Sequence, residues 1–190
     1  MLYNTGELFR VDTTTLACTR TTWSSPNGLK VFGMGFSTDM PGGTTDTLFV
    51  GGGASQMQTS YTLAKVDDAT MTATNVGTET DLPEMTGTGS AELWGFQVDA
   101  STARVVQFDK TNGSLARTFN IASLASADAG YAFAFWGGDF WIFLIRVNVD
   151  TETKVYQIDG MTGAIKGTTS SGGRTIVGAG VSTCAPIVVQ

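Results

Sequence analysis

Two acids, Asp39 and Asp46, flank the connection Met40-Pro41-Gly42-Gly43-Thr44-Thr45. Carboxylates next to loop carbonyls are the hard oxygen donors that calcium takes, so this loop is a candidate ion or ligand site, although its spacing fits no EF-hand. Four further acids, Asp12, Asp67, Asp109 and Asp159, recur in similar surroundings. They would form a ring of carboxylates around the fold, or each would simply cap its own turn, the reading that needs fewer assumptions. Glu79, Asp81 and Glu84 read as an exposed acidic linker. Trp23 and Trp136 fall near strand ends, where an indole left in solvent stacks on a sugar ring or a peptide aromatic. Trp94 and Trp141, with Phe133 and Phe135, read as core wedges. Cys18 and Cys184 are either a disulfide clasping the two ends of the chain or two free, buried thiols. Histidine is absent, which removes the commonest general base and the commonest zinc ligand together. No catalytic constellation or cofactor fingerprint emerges from these residues.

The elements that must position them come from an internal repeat. Leu8-Phe9-Arg10-Val11-Asp12, Leu63-Ala64-Lys65-Val66-Asp67, Val105-Val106-Gln107-Phe108-Asp109 and Val155-Tyr156-Gln157-Ile158-Asp159 share one pattern. Each is a strand ending on an aspartate, which opens a tight turn by accepting backbone N–H groups, and a Thr- or Ala-rich strand follows. Gly113 and Gly163 stand where such a turn needs positive φ; Leu16 and Met71 occupy the equivalent places in the first two units. Upstream of each hairpin lies a short strand of small residues, expected at 33–37, 86–90, 131–136 and 176–181, and then a bulkier one such as Phe140-Trp141-Ile142-Phe143. Four strands per unit describe a propeller blade, with the small-residue strand innermost, where blades converge.

The aspartates are spaced by 55, 42 and 50 residues, close to the ~40–50 of propeller blades. The chain begins in a third-type strand and ends in a second-type one, so joining the ends completes a further unit. The expectation is an all-β chain forming a single four-bladed β-propeller of about 16 antiparallel strands. Its blades would span 31–77, 85–120 and 130–170, with a closing blade built from 1–22 plus 175–190. The turns FDKTNG and IDGMTG, at Asp109 and Asp159, resemble those of PQQ- and YVTN-type propeller repeats, and a closed circle of four is similar to the hemopexin-like architecture. That resemblance implies a fold and no activity. None of the tryptophan docking residues of PQQ enzymes stands in this sequence, so no cofactor is implied beyond an ion or water in a central channel. Part of a larger wheel and a two-sheet sandwich are the competing architectures.

Composition bounds the function. In 190 residues, 42% are hydrophobic and 15% charged, with 24 glycines and a net charge of −6. Scattered single Lys and Arg residues and a negative balance exclude a nucleic-acid or anionic-membrane surface. The apolar run at 140–145 is about a third of a membrane span, and no leader pattern precedes Leu2. Asn112-Gly113-Ser114 matches a glycosylation sequon, a motif common by chance. The sequence thus leads to a monomeric, extracellular or cell-envelope binding module for a protein or carbohydrate. A two-carboxylate hydrolase and a purely structural domain of a larger surface protein are the alternatives.

Overall fold

The computed structural model describes residues 1–188. It is all-β. A hairpin of β1 (Phe9–Val11) and β2 (Cys18–Arg20) is followed by three four-stranded antiparallel sheets. The first contains β3 (Val31–Thr38), β4 (Asp46–Gly53), β5 (Tyr61–Asp67) and β6 (Thr72–Glu79). The second contains β7 (Glu84–Gly87), β8 (Leu93–Val98), β9 (Ala103–Phe108) and β10 (Leu115–Asn120). The third contains β11 (Ala129–Trp136), β12 (Asp139–Arg146), β13 (Lys154–Asp159) and β14 (Ile165–Ser170). In each, strands pair in chain order, so every sheet is a local meander.

Apolar residues on both faces of the middle strands make these sheets stack. Along β4, Leu48 and Val50 turn to one side and Phe49 to the other, as the two-residue period of a strand requires. Leu48 and Val50 join Leu8, Trp23, Leu29 and Phe32 in a core between the first hairpin and the first sheet. Phe49 and Leu63 meet Met85, Leu93, Val106 and Phe108 between the first and second sheets. Between the second and third sheets lies the largest cluster, with Trp94, Phe96, Phe133, Phe140, Ile142, Leu144 and Ile158. Trp94 and Phe140 lie 4.7 Å apart between ring centroids, a tilted pair that wedges two strands face to face. Each such fully buried side chain contributes roughly 1.5–3 kcal/mol.

The first strands of neighbouring sheets approach closely. A Cβ at Gly33 in β3 would lie 2.7 Å from the Glu84 Cα in β7, and one at Gly87 would lie 2.7 Å from the Ser37 Cα. Only glycine permits backbones to come this near. Across the other side of β7, the Phe135 amide of β11 donates to Thr86 Oγ1 at 3.3 Å.

The expected fourth blade is not assembled. Among the described residues there are 14 strands rather than about 16, and those expected at 176–181 and from 186 onward are not among them. Val189 lies outside the described residues, but 176–188 hold no strand, and residues 1–22 do not pair with 183–188. The reason lies at the edge of β1. Phe9 donates its amide to the Met1 carbonyl at 2.8 Å, and Leu2 bridges Leu8, so the chain's own first residues already occupy that edge. Gly178 and Gly180 offer no side chains with which the last segment could compete for it. The sheets therefore form an open series.

No helix among the described residues is long and apolar enough to cross a membrane.

Candidate functional site

The four repeated aspartates are turn caps. Asp12 accepts the amides of Thr14 and Thr15 at 2.9 and 2.7 Å, and Asp67 those of Ala69 and Thr70 at 3.0 and 2.9 Å. Asp109 accepts Thr111 at 2.8 Å, and Asp159 accepts Met161 and Thr162 at 3.0 and 2.8 Å. These bonds favour the ionised form and hold all four carboxyls below the usual carboxylate range. Four residues on, Leu16, Met71, Gly113 and Gly163 all have positive φ, between 58 and 78°. Leucine and methionine thus adopt the conformation that the later turns assign to glycine.

The calcium reading of the first loop finds its two acids employed separately. Asp39 accepts Thr47 Oγ1 at 2.7 Å, while Asp46 accepts Thr183 Oγ1 at 2.8 Å. No group of three or more His, Cys, Asp or Glu side chains gathers around a point among the described residues. Trp136 is 47% exposed at the end of β11, as expected for a surface indole. Its carbonyl accepts the indole N–H of Trp141 at 3.1 Å. Trp23 is different: it is buried against Phe32, and its Nε1 has no hydrogen-bond partner. It serves the core of the first hairpin and cannot reach a ligand. Cys18 and Cys184 are exposed, free thiols, so the structure contains neither the clasp nor the buried pair.

The acidic stretch is not an exposed linker. Glu79 is buried at the end of β6, and burial pushes its carboxyl up to about 7 against the pull of Gln97 and Arg104. Asp81 forms an ion pair with Arg104 at 2.6 Å. Glu84 opens β7 and turns into a cavity of about 750 Å³. The walls of this cavity are β3 from Val31 to Phe36, β7 from Glu84 to Gly87 and the segment Val177–Val181, with Leu2 and Leu48 at its side. The lining is mostly apolar: Phe32, Met34, Phe36, Met85 and Val177 contribute most of the large groups.

On that wall Glu84, half-buried, has no salt-bridge partner and accepts no hydrogen bond among the described residues. Burial alone pushes its carboxyl up to about 8. At neutral pH it is therefore largely protonated, a neutral acid in an apolar wall. Tyr131 stands near it; its hydroxyl donates to the Leu82 carbonyl at 3.1 Å, and burial and the neighbouring acid push the phenol above its ordinary range. Alternation along Glu84-Met85-Thr86 places Glu84 and Thr86 on one face and the buried Met85 on the other. That pattern is present in the sequence. It was masked by starting the inner strand two residues late, which left Glu84 among the linker acids.

Comparison of the sequence with models of known protein families returned no match, and comparison with curated proteins likewise found none.

Proposed function

We propose that this chain is a non-catalytic binding module whose stacked sheets are propeller blades and whose ligand site is the cavity beside Glu84. The propeller reading is supported by the radial order of the sheets. Each is a meander, each stacks on the next through buried apolar clusters, and the first strands of the first two sheets meet closely where glycine allows it. The open series leaves the fourth position to the first hairpin and the strandless 176–188 segment.

The observation that carries the binding reading is the cavity itself. At about 750 Å³ it has the size of a small-ligand site, with a largely apolar wall and a few polar groups, Glu84, Thr86 and the Met1 amine, that could fix orientation. Hydrolysis by paired carboxylates is less well supported, because Glu84 is the one acid among the residues that line the cavity. The turn aspartates are committed to backbone amides.

Ala179→Trp tests the reading. It places an indole into the cavity from a segment with no sheet hydrogen bonds, so the sheets should remain intact. In a thermal-shift screen of small fragments, compounds that stabilise the parent protein should lose their effect in the variant. Hits that survive the filling would mean that ligands bind elsewhere, and the site would be wrong.

A further inference from the structure

Glu84 is an acid kept where the fold gives it nothing in return. β7 packs against β3, β4, β8 and β11, and none of these brings a cation to it. β3 (VFGMGFST) and β8 (LWGFQV) contain no titratable side chain. β4 has only Asp46, which is engaged with Thr183, and β11 contributes only the phenol of Tyr131. Val177–Val181, across the cavity, has no charge at all, and the one cation on the wall, the Met1 ammonium, donates to the Phe9 carbonyl at 2.7 Å. Asp81 is the nearest acid in sequence, and it is already paired with Arg104. A half-buried carboxyl against an apolar wall is costly to ionise without a partner, and a glutamine or a leucine would line the same wall more cheaply. The missing counter-charge is what a ligand could supply.

Resting on the cavity reading above, we propose that the site takes a small organic ammonium ion with an apolar, preferably aromatic, body, for which the Glu84 carboxylate is the counter-ion. The body would lie against Met34 and Phe36, whose sulfur and ring surfaces suit an aromatic group. The ammonium would sit at the base of β7, beside Glu84. Binding would draw the carboxyl into its ionised form, so that a proton leaves Glu84 for solvent as the cation enters.

Three matched probes separate this chemistry from plain apolar filling: phenethylammonium, phenethyl alcohol and phenylacetate, titrated calorimetrically near neutral pH. Phenethylammonium should bind the parent protein about tenfold or more tighter than the alcohol, as a desolvated charge pair worth about 1.4 kcal/mol implies, and phenylacetate should bind most weakly. Repeating the titration in buffers of different ionisation enthalpy should show a proton released with the ammonium and none with the alcohol. Glu84→Gln should erase the preference for the cation, bringing the ammonium and the alcohol, measured on the same variant, to within about twofold of each other. Equal affinity for ammonium and alcohol, or a preference that survives Glu84→Gln, would overturn the proposal while the cavity remains a binding site. If none of the three probes binds, both this proposal and the cavity reading fail. The proton count on the parent protein decides the matter independently of how the variant behaves.

Discussion

Glu84→Gln should stabilise the protein at neutral pH, by an amount that grows as the pH rises. The folded carboxyl titrates at about 8 and its ordinary value is 4.5. Below the lower value it is protonated whether the chain is folded or not, and it contributes no pH dependence. Between the two values the unfolded chain loses the proton while the folded chain keeps it. Stability therefore falls with rising pH, by about 1.4 kcal/mol per unit for this group, and levels off above the folded value. Between about pH 5 and 7 the full effect would approach 3 kcal/mol, and water entering the cavity brings the expectation to about 2 kcal/mol. Glu79, pushed up to about 7, adds a slope of the same sign. It is present in both proteins, however, and cancels in their difference. The turn aspartates titrate below their ordinary value of 3.8, outside this window. Urea unfolding of parent and variant, followed by tryptophan fluorescence across the window, gives the difference directly. A difference that is flat with pH, or a variant that loses ground as pH rises, would refute the desolvation of Glu84 against the apolar wall.

The repeated turns supply a paired test. Leu16 has φ 60° and is 76% exposed, so Leu16→Gly should relieve left-handed strain at no cost in packing and stabilise by about 0.5–1 kcal/mol. Met71 has the same φ but is buried in the first core, so Met71→Gly should destabilise by about 2 kcal/mol or more; thermal unfolding of both variants checks the contrast. Gly33→Ala would force a Cβ to within 2.7 Å of the Glu84 Cα, a backbone atom, and should lower stability by about 1–3 kcal/mol in the same assay. Both thiols should react with a thiol reagent in the native protein without reductant, because Cys18 and Cys184 are exposed and free. Labelling only after reduction would mean that the two are bridged.

What the sequence made legible were the features written locally. The hairpins ending at Asp67, Asp109 and Asp159 could be read from a strand, a turn-capping acid and a returning strand, all within a short stretch. The inner strands at β3 and β11 were visible as runs of small residues between turns. Features set by distant parts of the chain were not legible. The closing blade depended on which segment reaches the edge of β1 first, and Met1–Tyr3 are closer in sequence to Phe9 than is Ile187. Trp23 looks like a surface indole in its Thr- and Ser-rich surroundings, yet it is enclosed by Leu29 and Phe32, which follow it around a turn. Glu84 was missed for the opposite reason. Its local neighbours, Asp81 and Glu79, suggested a solvated stretch, whereas its burial comes from β3 and from a segment nearly a hundred residues away in the chain.

The central claim, that the cavity beside Glu84 is the binding site, is tested most directly by the methionine methyl signals. The Met34 side chain lines the cavity, whereas Met40, Met57 and Met161 are 69%, 93% and 86% exposed and serve as internal controls. Titration of methyl-labelled protein with phenethylammonium should shift the Met34 resonance saturably, by ring current, and leave the three surface methyls in place. Shifts confined to the surface methyls, or a Met34 methyl unmoved up to saturating probe, would contradict the account.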